Sequence, residues 1–202
     1  MQRSQTALVV DGSLARGCVA LLTLSGSASG TLTVAEVGTP PRSHLERIAD
    51  LLPSSALRRE LCAIVVGVGP GSYTGIRAAS AAAAGVAVAL QLPTICVPSD
   101  RALYSAAAEC GGDVVVLPLG TREVLVIDGL GSTVVPHESA PESVDLERVA
   151  ERLPHAFASL AAAGLREAID AAARGEAPRQ SEIKLHYPSP PRGALGGVPR
   201  AT

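Results

Sequence analysis

The residues of this chain best suited to bind an anion lie in the glycine segment, residues 67–77. Four glycines and a proline within nine residues allow a tight turn and a close approach of the backbone to a ligand. An apolar run precedes the segment and an alanine-rich run follows it, which predicts a strand, a turn and a helix whose first amides would face a phosphate. The candidates for a nucleotide contact are therefore Asp11, Gly69, Gly71, Ser72 and Gly75. The alternative is a turn that packs the helix closely on the strand.

A second candidate for chemistry is the sequence Asp11-Gly12-Ser13, which follows the first predicted strand. Its carboxylate could coordinate a metal or orient a water molecule. The alternative is a turn carboxylate that accepts hydrogen bonds from its own backbone amides. Ser72 and Thr74 have no neighbouring base in the sequence, so we predict that they cap a helix and do not act as nucleophiles.

The composition excludes several classes of active site. Lys184 is the only lysine, so a phosphate-binding lysine or a Schiff base could only lie near the end of the chain. The four histidines are not spaced as a metal-binding pair, and the four cysteines are far apart, as in a reduced protein. We predict no catalytic residue, no metal site and a cytoplasmic location. We also expect no membrane span, since the apolar run at 78–92 is shorter than the ~20 residues required.

The predicted elements alternate between strands and helices. Three strands at 6–10, 17–24 and 31–37 form a meander, and a helix follows that Ser43 caps, with apolar residues at Leu45, Ile48 and Leu51 and with Arg47 on its polar side. A strand at 63–66, a helix at 73–90, a strand at 94–97 and a helix that Ser99 caps complete a parallel crossover. Short strands at 113–117, 123–127 and 133–135 precede helices at 144–153 and 156–173.

This order predicts the α/β class and one lobe of the actin-like ATPase and sugar-kinase fold, which is related to ribonuclease H. We predict a first lobe over residues 1–100, which carries the glycine segment. A second, shortened lobe follows over 101–177. Residues 178–202 are rich in proline and glycine and are predicted to be a tail, of which the last dozen residues are disordered or lie on the surface.

The glycine segment also resembles a known signature. Residues 69–77, Gly-Pro-Gly-Ser-Tyr-Thr-Gly-Ile-Arg, resemble the Gly-Pro-Gly-Ser-Phe-Thr-Gly-Leu/Val-Arg sequence of the TsaB (YeaZ) family. Asp11-Gly12-Ser13 lies where that family has Asp-Thr-Ser, and Ser43-His44-Leu45 resembles the start of its first helix. The resemblance covers residues 6–104 and is thin afterwards, where residues 117–125 lack the family's aspartate and tyrosine.

The resemblance implies a non-catalytic scaffold subunit of the complex that makes N6-threonylcarbamoyladenosine at position 37 of tRNA. Its partners would be a TsaD-type catalytic subunit and a TsaE-type ATPase, and it would form a homodimer when alone. ATP and metal would bind to those partners, with no cofactor on this chain and at most indirect contact with tRNA. The alternative is an independent enzyme, an actin-like ATPase or an M22-type metallopeptidase.

The family pairs two helices with the same helices of its partner, which implies an interface here. Small side chains let two helices approach closely, so the alanine-rich helix would supply much of the contact. The alternative is that its alanines pack on the chain's own sheet. The implied interface residues are His44, Ile48, Leu51, Tyr73, Ala78, Ala81, Ala82 and Gly85.

Overall fold

A five-stranded mixed sheet organises the first half of the chain. The structure is a computed structural model that describes residues 5–24, 30–34, 43–178 and 181–188. The sheet has the order β3-β2-β1-β4-β5, in which β1 to β3 are antiparallel and β4 and β5 run parallel to β1. Its strands are β1 (Gln5–Asp11), β2 (Cys18–Leu24), β3 (Gly30–Val34), β4 (Leu61–Gly67) and β5 (Thr94–Val97).

Helices cover both faces of this sheet. Side chains of β1 alternate between two buried clusters, with Ala7 and Val9 in one and Leu8 and Val10 in the other. Burial on both faces explains why β1 and β4 are continuous apolar runs. The helices α1 (His44–Leu51) and α3 (Tyr73–Leu90) pack on the side of Leu8. On the side of Val9 lie α4 (Ser99–Glu109) and α5 (Leu146–Ala173), while the short helix α2 (Ser55–Glu60) leads into β4.

A second, antiparallel sheet lies beyond α4. It consists of β6 (Val115–Pro118), β7 (Glu123–Asp128) and β8 (Gly131–Pro136), in that order. Its inward side chains, Val115, Leu125 and Ile127, join the same buried cluster as α4 and α5. The helix α5 then returns to pack on β4 and β5 of the first sheet. One apolar cluster therefore spans both sheets. The division of the chain into two lobes at residue 100 stays a prediction.

Two details of the predicted helices are wrong. Residues 146–173 form a single helix that continues through Pro154, where two helices were predicted. Pro154 is buried, and its neighbours Leu153 and Phe157 pack in the apolar cluster, so tertiary packing holds the helix together despite the lost backbone donor. In α1 the polar and apolar sides differ from the pattern, since Arg47 is buried and Leu45 is 58% exposed.

One described helix, Tyr73–Leu90, is long and apolar enough to cross a membrane by length and composition alone. Buried helices of packed domains meet the same criterion. Here Ile76, Ala79 and Ala83 of this helix are fully buried, and Ala79 and Ala83 belong to the apolar cluster on the first sheet. The helix therefore has an inner side that packs on β1 and β4.

Residues 181–188 lie beside β5 and the end of β4, on the side of the sheet that α1 and α3 cover. The Ser181 amide donates to Thr94 Oγ1 at 3.1 Å, and the His186 amide donates to the Val68 carbonyl at 2.7 Å. Between these contacts, Ile183 and Leu185 pack against the cluster of α1 and α3. This part of the predicted tail lies on the protein, whereas residues 189–202 fall outside the described residues.

Truncation of Phe157 tests the packing of α5. Its ring is 0% exposed, so we expect Phe157→Ala to lower the free energy of unfolding by ~3–5 kcal/mol through lost burial and a cavity. Leu160 lies one turn away and is 43% exposed, so Leu160→Ala should cost less than about 1 kcal/mol. Urea unfolding followed by circular dichroism measures both. Equal losses in the two variants would contradict the placement of α5.

Candidate functional site

Three loops meet at one edge of the first sheet. The first loop (residues 11–17) follows β1, the glycine segment follows β4, and Ser99 follows β5. These strands are parallel neighbours, so their carboxyl ends lie at the same edge, where open α/β sheets bind ligands. The predicted residues Asp11, Gly69, Gly71, Ser72 and Gly75 are thus brought together.

Asp11 is the centre of a buried hydrogen-bond network. Its carboxylate is 0% exposed and accepts the Ser99 hydroxyl on Oδ1 at 2.7 Å. Oδ2 accepts the amide of Ser13 at 2.9 Å and the hydroxyl of Ser13 at 2.5 Å. The Ser99 oxygen in turn accepts the Gly69 amide at 2.9 Å. One carboxylate therefore ties the first loop to the glycine segment and to α4.

Burial raises the pKa of Asp11, because a charged carboxylate loses its hydration there, and the bonds from Ser13 and Ser99 oppose this rise. Both oxygens are occupied by protein donors and closed to solvent. This arrangement supports the interpretation of Asp11 as a turn carboxylate over the interpretation as a metal ligand. The described residues hold no group of three side chains suited to bind a metal.

The glycines of the segment touch the first loop at distances that exclude a side chain. A Cβ added to Gly75 would lie 2.2 Å from the Gly12 carbonyl oxygen, and one added to Gly12 would lie 2.1 Å from the Gly75 oxygen. A Cβ on Gly71 would lie 2.5 Å from the Cα of Ser13. A Cβ on Gly67 would overlap the Asp11 carboxylate. The close approach that the glycines permit is to the chain itself.

The amides of the segment are also used internally. The Ser72 amide donates to the Ser13 carbonyl at 2.9 Å, and the Ser72 hydroxyl caps α3 by accepting the Gly75 amide at 3.3 Å. The Gly69 amide is held by Ser99. These contacts support the packing alternative for the segment over a phosphate cradle. The nucleotide contact stays a prediction.

Ser99 was assigned the wrong role from the sequence. Pro98 is the residue that precedes α4, and no side chain caps that helix. The Ser99 hydroxyl points back to Asp11 because β5 ends beside β4, which a local capping pattern does not reveal. His44 is a second contact of the first loop, with its Nε2 at 3.3 Å from the Asp11 carbonyl oxygen. Burial lowers the pKa of His44, which favours its neutral form.

The eight predicted interface residues divide into three groups. Ile48 and Ala82 are 4% and 5% exposed and pack in the chain's own core, so their assignment to an interface is corrected. Their side chains face the sheet, because α1 and α3 each bury one side there. His44 and Leu51 are partly buried. The remaining four residues are exposed, namely Tyr73, Ala78, Ala81 and Gly85.

The exposed side of α3 forms a continuous stripe of mostly small residues. The α3 stripe consists of Thr74, Ala78, Ala81, Gly85 and Val88, at spacings of four and three that place them on one helix face. Val88 is 64% exposed. The sequence pattern did not single out Val88, although its place in the stripe follows from the helical period.

A comparison with protein families identifies the group to which this fold belongs. The family described as "TsaD: tRNA N6-adenosine threonylcarbamoyltransferase" matches residues 40–189, about three quarters of the chain. The chain belongs to this family. It has the family's actin-like fold, as the order of its strands and helices predicted.

Solved structures agree with this assignment. YeaZ from Pseudomonas aeruginosa is 25% identical and superposes with a TM-score of 0.54, over 91% of this chain and 100% of that one. A crystal structure of a protein "with similarity to peptidase YEAZ from Pseudomonas aeruginosa" is 24% identical, with a TM-score of 0.53 over 92% of this chain and 98% of the other. Together with the family match, the likeness to YeaZ confirms the predicted resemblance of this chain to the TsaB (YeaZ) family.

Curated relatives add no named activity. Uncharacterised proteins of Mycobacterium tuberculosis and Mycobacterium bovis are 37% identical over 112 residues, which is 52% of this chain. The match also covers 52% of each relative, so the chain spans about half the length of the curated relatives it matches.

Two glycines of α3 give a matched test of the contact with the first loop. Gly75→Ala places a methyl group against the Gly12 carbonyl, so we expect a loss of about 2 kcal/mol or more in the free energy of unfolding. Gly85 has open space around its Cβ position, so Gly85→Ala should stabilise the helix by up to about 1 kcal/mol. Chemical denaturation measures the free energy of unfolding of both variants. A tolerated Gly75→Ala would refute the contact.

The pKa of Asp11 gives a pH dependence of stability. Below the ordinary pKa of about 3.8 the carboxyl is protonated in both the folded and the unfolded chain. As the pH rises above that value, the unfolded chain releases its proton first, so stability falls until the raised folded-state pKa is passed. Relative to Asp11→Asn, which cannot titrate, the wild type should lose stability over this window and then level off. Urea unfolding at a series of pH values measures the difference in the free energy of unfolding between the wild type and Asp11→Asn. An increase of that difference in favour of the wild type as the pH rises would contradict the burial of Asp11.

Proposed function

We propose that this chain is a non-catalytic scaffold subunit of the complex that makes N6-threonylcarbamoyladenosine in tRNA. It binds a TsaD-type catalytic subunit and holds that subunit in its active arrangement. The observation that carries the proposal is the α3 stripe, together with the neighbouring helix α1. Family membership supports the link to threonylcarbamoyladenosine synthesis, and the geometry supports binding over catalysis.

The α3 stripe has the character of a helix-packing surface. Ala78, Ala81 and Gly85 present no long side chain, so the backbone of a partner helix can approach closely. Exposed apolar residues flank them, with Val88 at 64% exposure and Tyr73 at 40%. Such a surface explains why one side of an alanine-rich helix remains uncovered while its other side packs on the sheet.

The side chains beside the first residue of the α3 stripe favour specific recognition of a partner. Tyr73 lies at the start of α3, where its hydroxyl accepts a bond from Arg77 at 2.8 Å and its ring lies 5.0 Å from that of Tyr187. Tyrosine and arginine are enriched among the residues that dominate binding energy at interfaces. An interface of about 800 Å² per partner would suffice for a stable complex.

The proposed division of labour leaves the chemistry to the partners. Asp11 is enclosed by hydroxyl and amide donors, and Ser72 caps a helix, so neither is placed to attack or activate a substrate. ATP and metal bind the TsaD-type subunit and a TsaE-type ATPase. The same face forms a homodimer when the chain is alone, so homodimer and heterodimer compete. Contact with tRNA is at most indirect, since the chain has a net charge of -2.

A charge on the α3 stripe tests the proposal. Ala81→Arg places a long cation at the centre of the stripe, so we expect loss of co-elution with a TsaD-type subunit and loss of the homodimer in gel filtration. Ala108→Arg makes the same change on an exposed position of α4 and should leave both assemblies intact. Circular dichroism establishes that both variants are folded. Full binding by Ala81→Arg, or no binding by the wild type, would overturn the proposal.

A further inference from the structure

Arg47 is a buried arginine in the first turns of α1 whose donors are only partly used. Its side chain is 6% exposed, and its Nη1 donates to the Arg16 carbonyl at 2.8 Å. Its Nε and Nη2 are buried and have no acceptor. Buried donors without an acceptor are rare and destabilising, above all on a charged group. The two nitrogens therefore require an explanation.

The unused donors form one edge of the guanidinium plane. Nε–H and one N–H of Nη2 point in the same direction, which is the fork geometry that takes two oxygens of a phosphate or a carboxylate. The remaining nitrogen, Nη1, is anchored on the backbone at Arg16. The plane of the fork is thus fixed by the protein, as expected for a binding group.

Among the described residues no carboxylate lies within hydrogen-bond reach of Nε or Nη2, and Glu147 pairs with the side chain of Arg16. His44 lies on the same side of α1: a Cβ added to Gly17 would lie 2.7 Å from His44 Nε2 and 3.4 Å from Arg47 Nη1. Burial lowers the pKa of Arg47, because the cation loses hydration, and a bound anion would relieve this cost.

We propose that the Nε–Nη2 edge of Arg47, whose Nη1 is anchored on the first loop, binds a small oxyanion, namely a phosphate or carboxylate group. This site is separate from the α3 stripe and goes beyond the scaffold function. Because both nitrogens are closed to bulk solvent, the anion enters through a local movement of α1 or the first loop, and exchange is slow.

Titration of the full chain with inorganic phosphate and with acetate tests the site, against sodium chloride at the same ionic strength. The readouts are the Nε–H signal of Arg47 in a nitrogen-15 spectrum and the midpoint of thermal unfolding. We expect one of the two anions to shift that signal in slow exchange and to raise the midpoint. The anion that does so identifies the chemistry of the ligand.

Three variants distinguish the contribution of the guanidinium's two-donor geometry from that of its positive charge. Arg47→Lys keeps the cation but loses the fork, so affinity should fall at least about tenfold. Arg47→Met should show no response, and in chloride it should be at least as stable as the wild type, because an unpaired buried charge is removed. Arg58→Met removes an exposed arginine from α2 and should respond as the wild type does.

Two results would overturn the site. One is an Arg47 signal that neither phosphate nor acetate shifts, which would mean that water satisfies the two donors. The other is equal stabilisation of the wild type, Arg47→Lys and Arg47→Met by the same anion, which would place the anion elsewhere. If Arg47→Met fails to fold, the comparison of Arg47→Lys with Arg58→Met still decides.

Discussion

The contact between the first loop and the glycine segment is the constraint on which the rest of this structure depends. Two backbones approach within distances that no Cβ allows, at Gly12 and Gly75, while the Asp11 carboxylate fills the space beside Gly67. The buried carboxylate then holds Ser13 and Ser99 by hydrogen bonds. Because burial removes the hydration of this carboxylate, the hydrogen bonds from Ser13 and Ser99 must compensate for the loss.

This contact sets the position of both helices that the proposed function requires. Ser72 ends the contact and caps α3, so the direction of that helix is fixed where it leaves the sheet. His44 and Arg47 of α1 reach the backbone carbonyls of Asp11 and Arg16 from the other side. The first loop is therefore shared by α1 and α3.

Much of the fold follows from local patterns, whereas the site does not. The bounds of α3 and β5 were predicted to the residue, since a cap at Ser72 and a short apolar run are local signals. Pro154 misled the prediction of α5 because burial outweighed a local helix-breaking preference. The partners of Asp11 lie up to 88 positions away, and the acceptor of Arg47 lies 31 positions away at Arg16, so no spacing along the chain reveals them.

The glycine segment therefore holds the first loop against the start of α3. The proposed function assigns the chemistry to a partner. Reconstitution of tRNA modification tests that claim most directly, with a TsaD-type subunit, a TsaE-type ATPase, ATP, an activated threonylcarbamoyl donor and tRNA, in the presence and absence of this chain. The account predicts modification only when this chain and the TsaD-type subunit are both present. Modification at the same rate without this chain, or by this chain without the TsaD-type subunit, would contradict it.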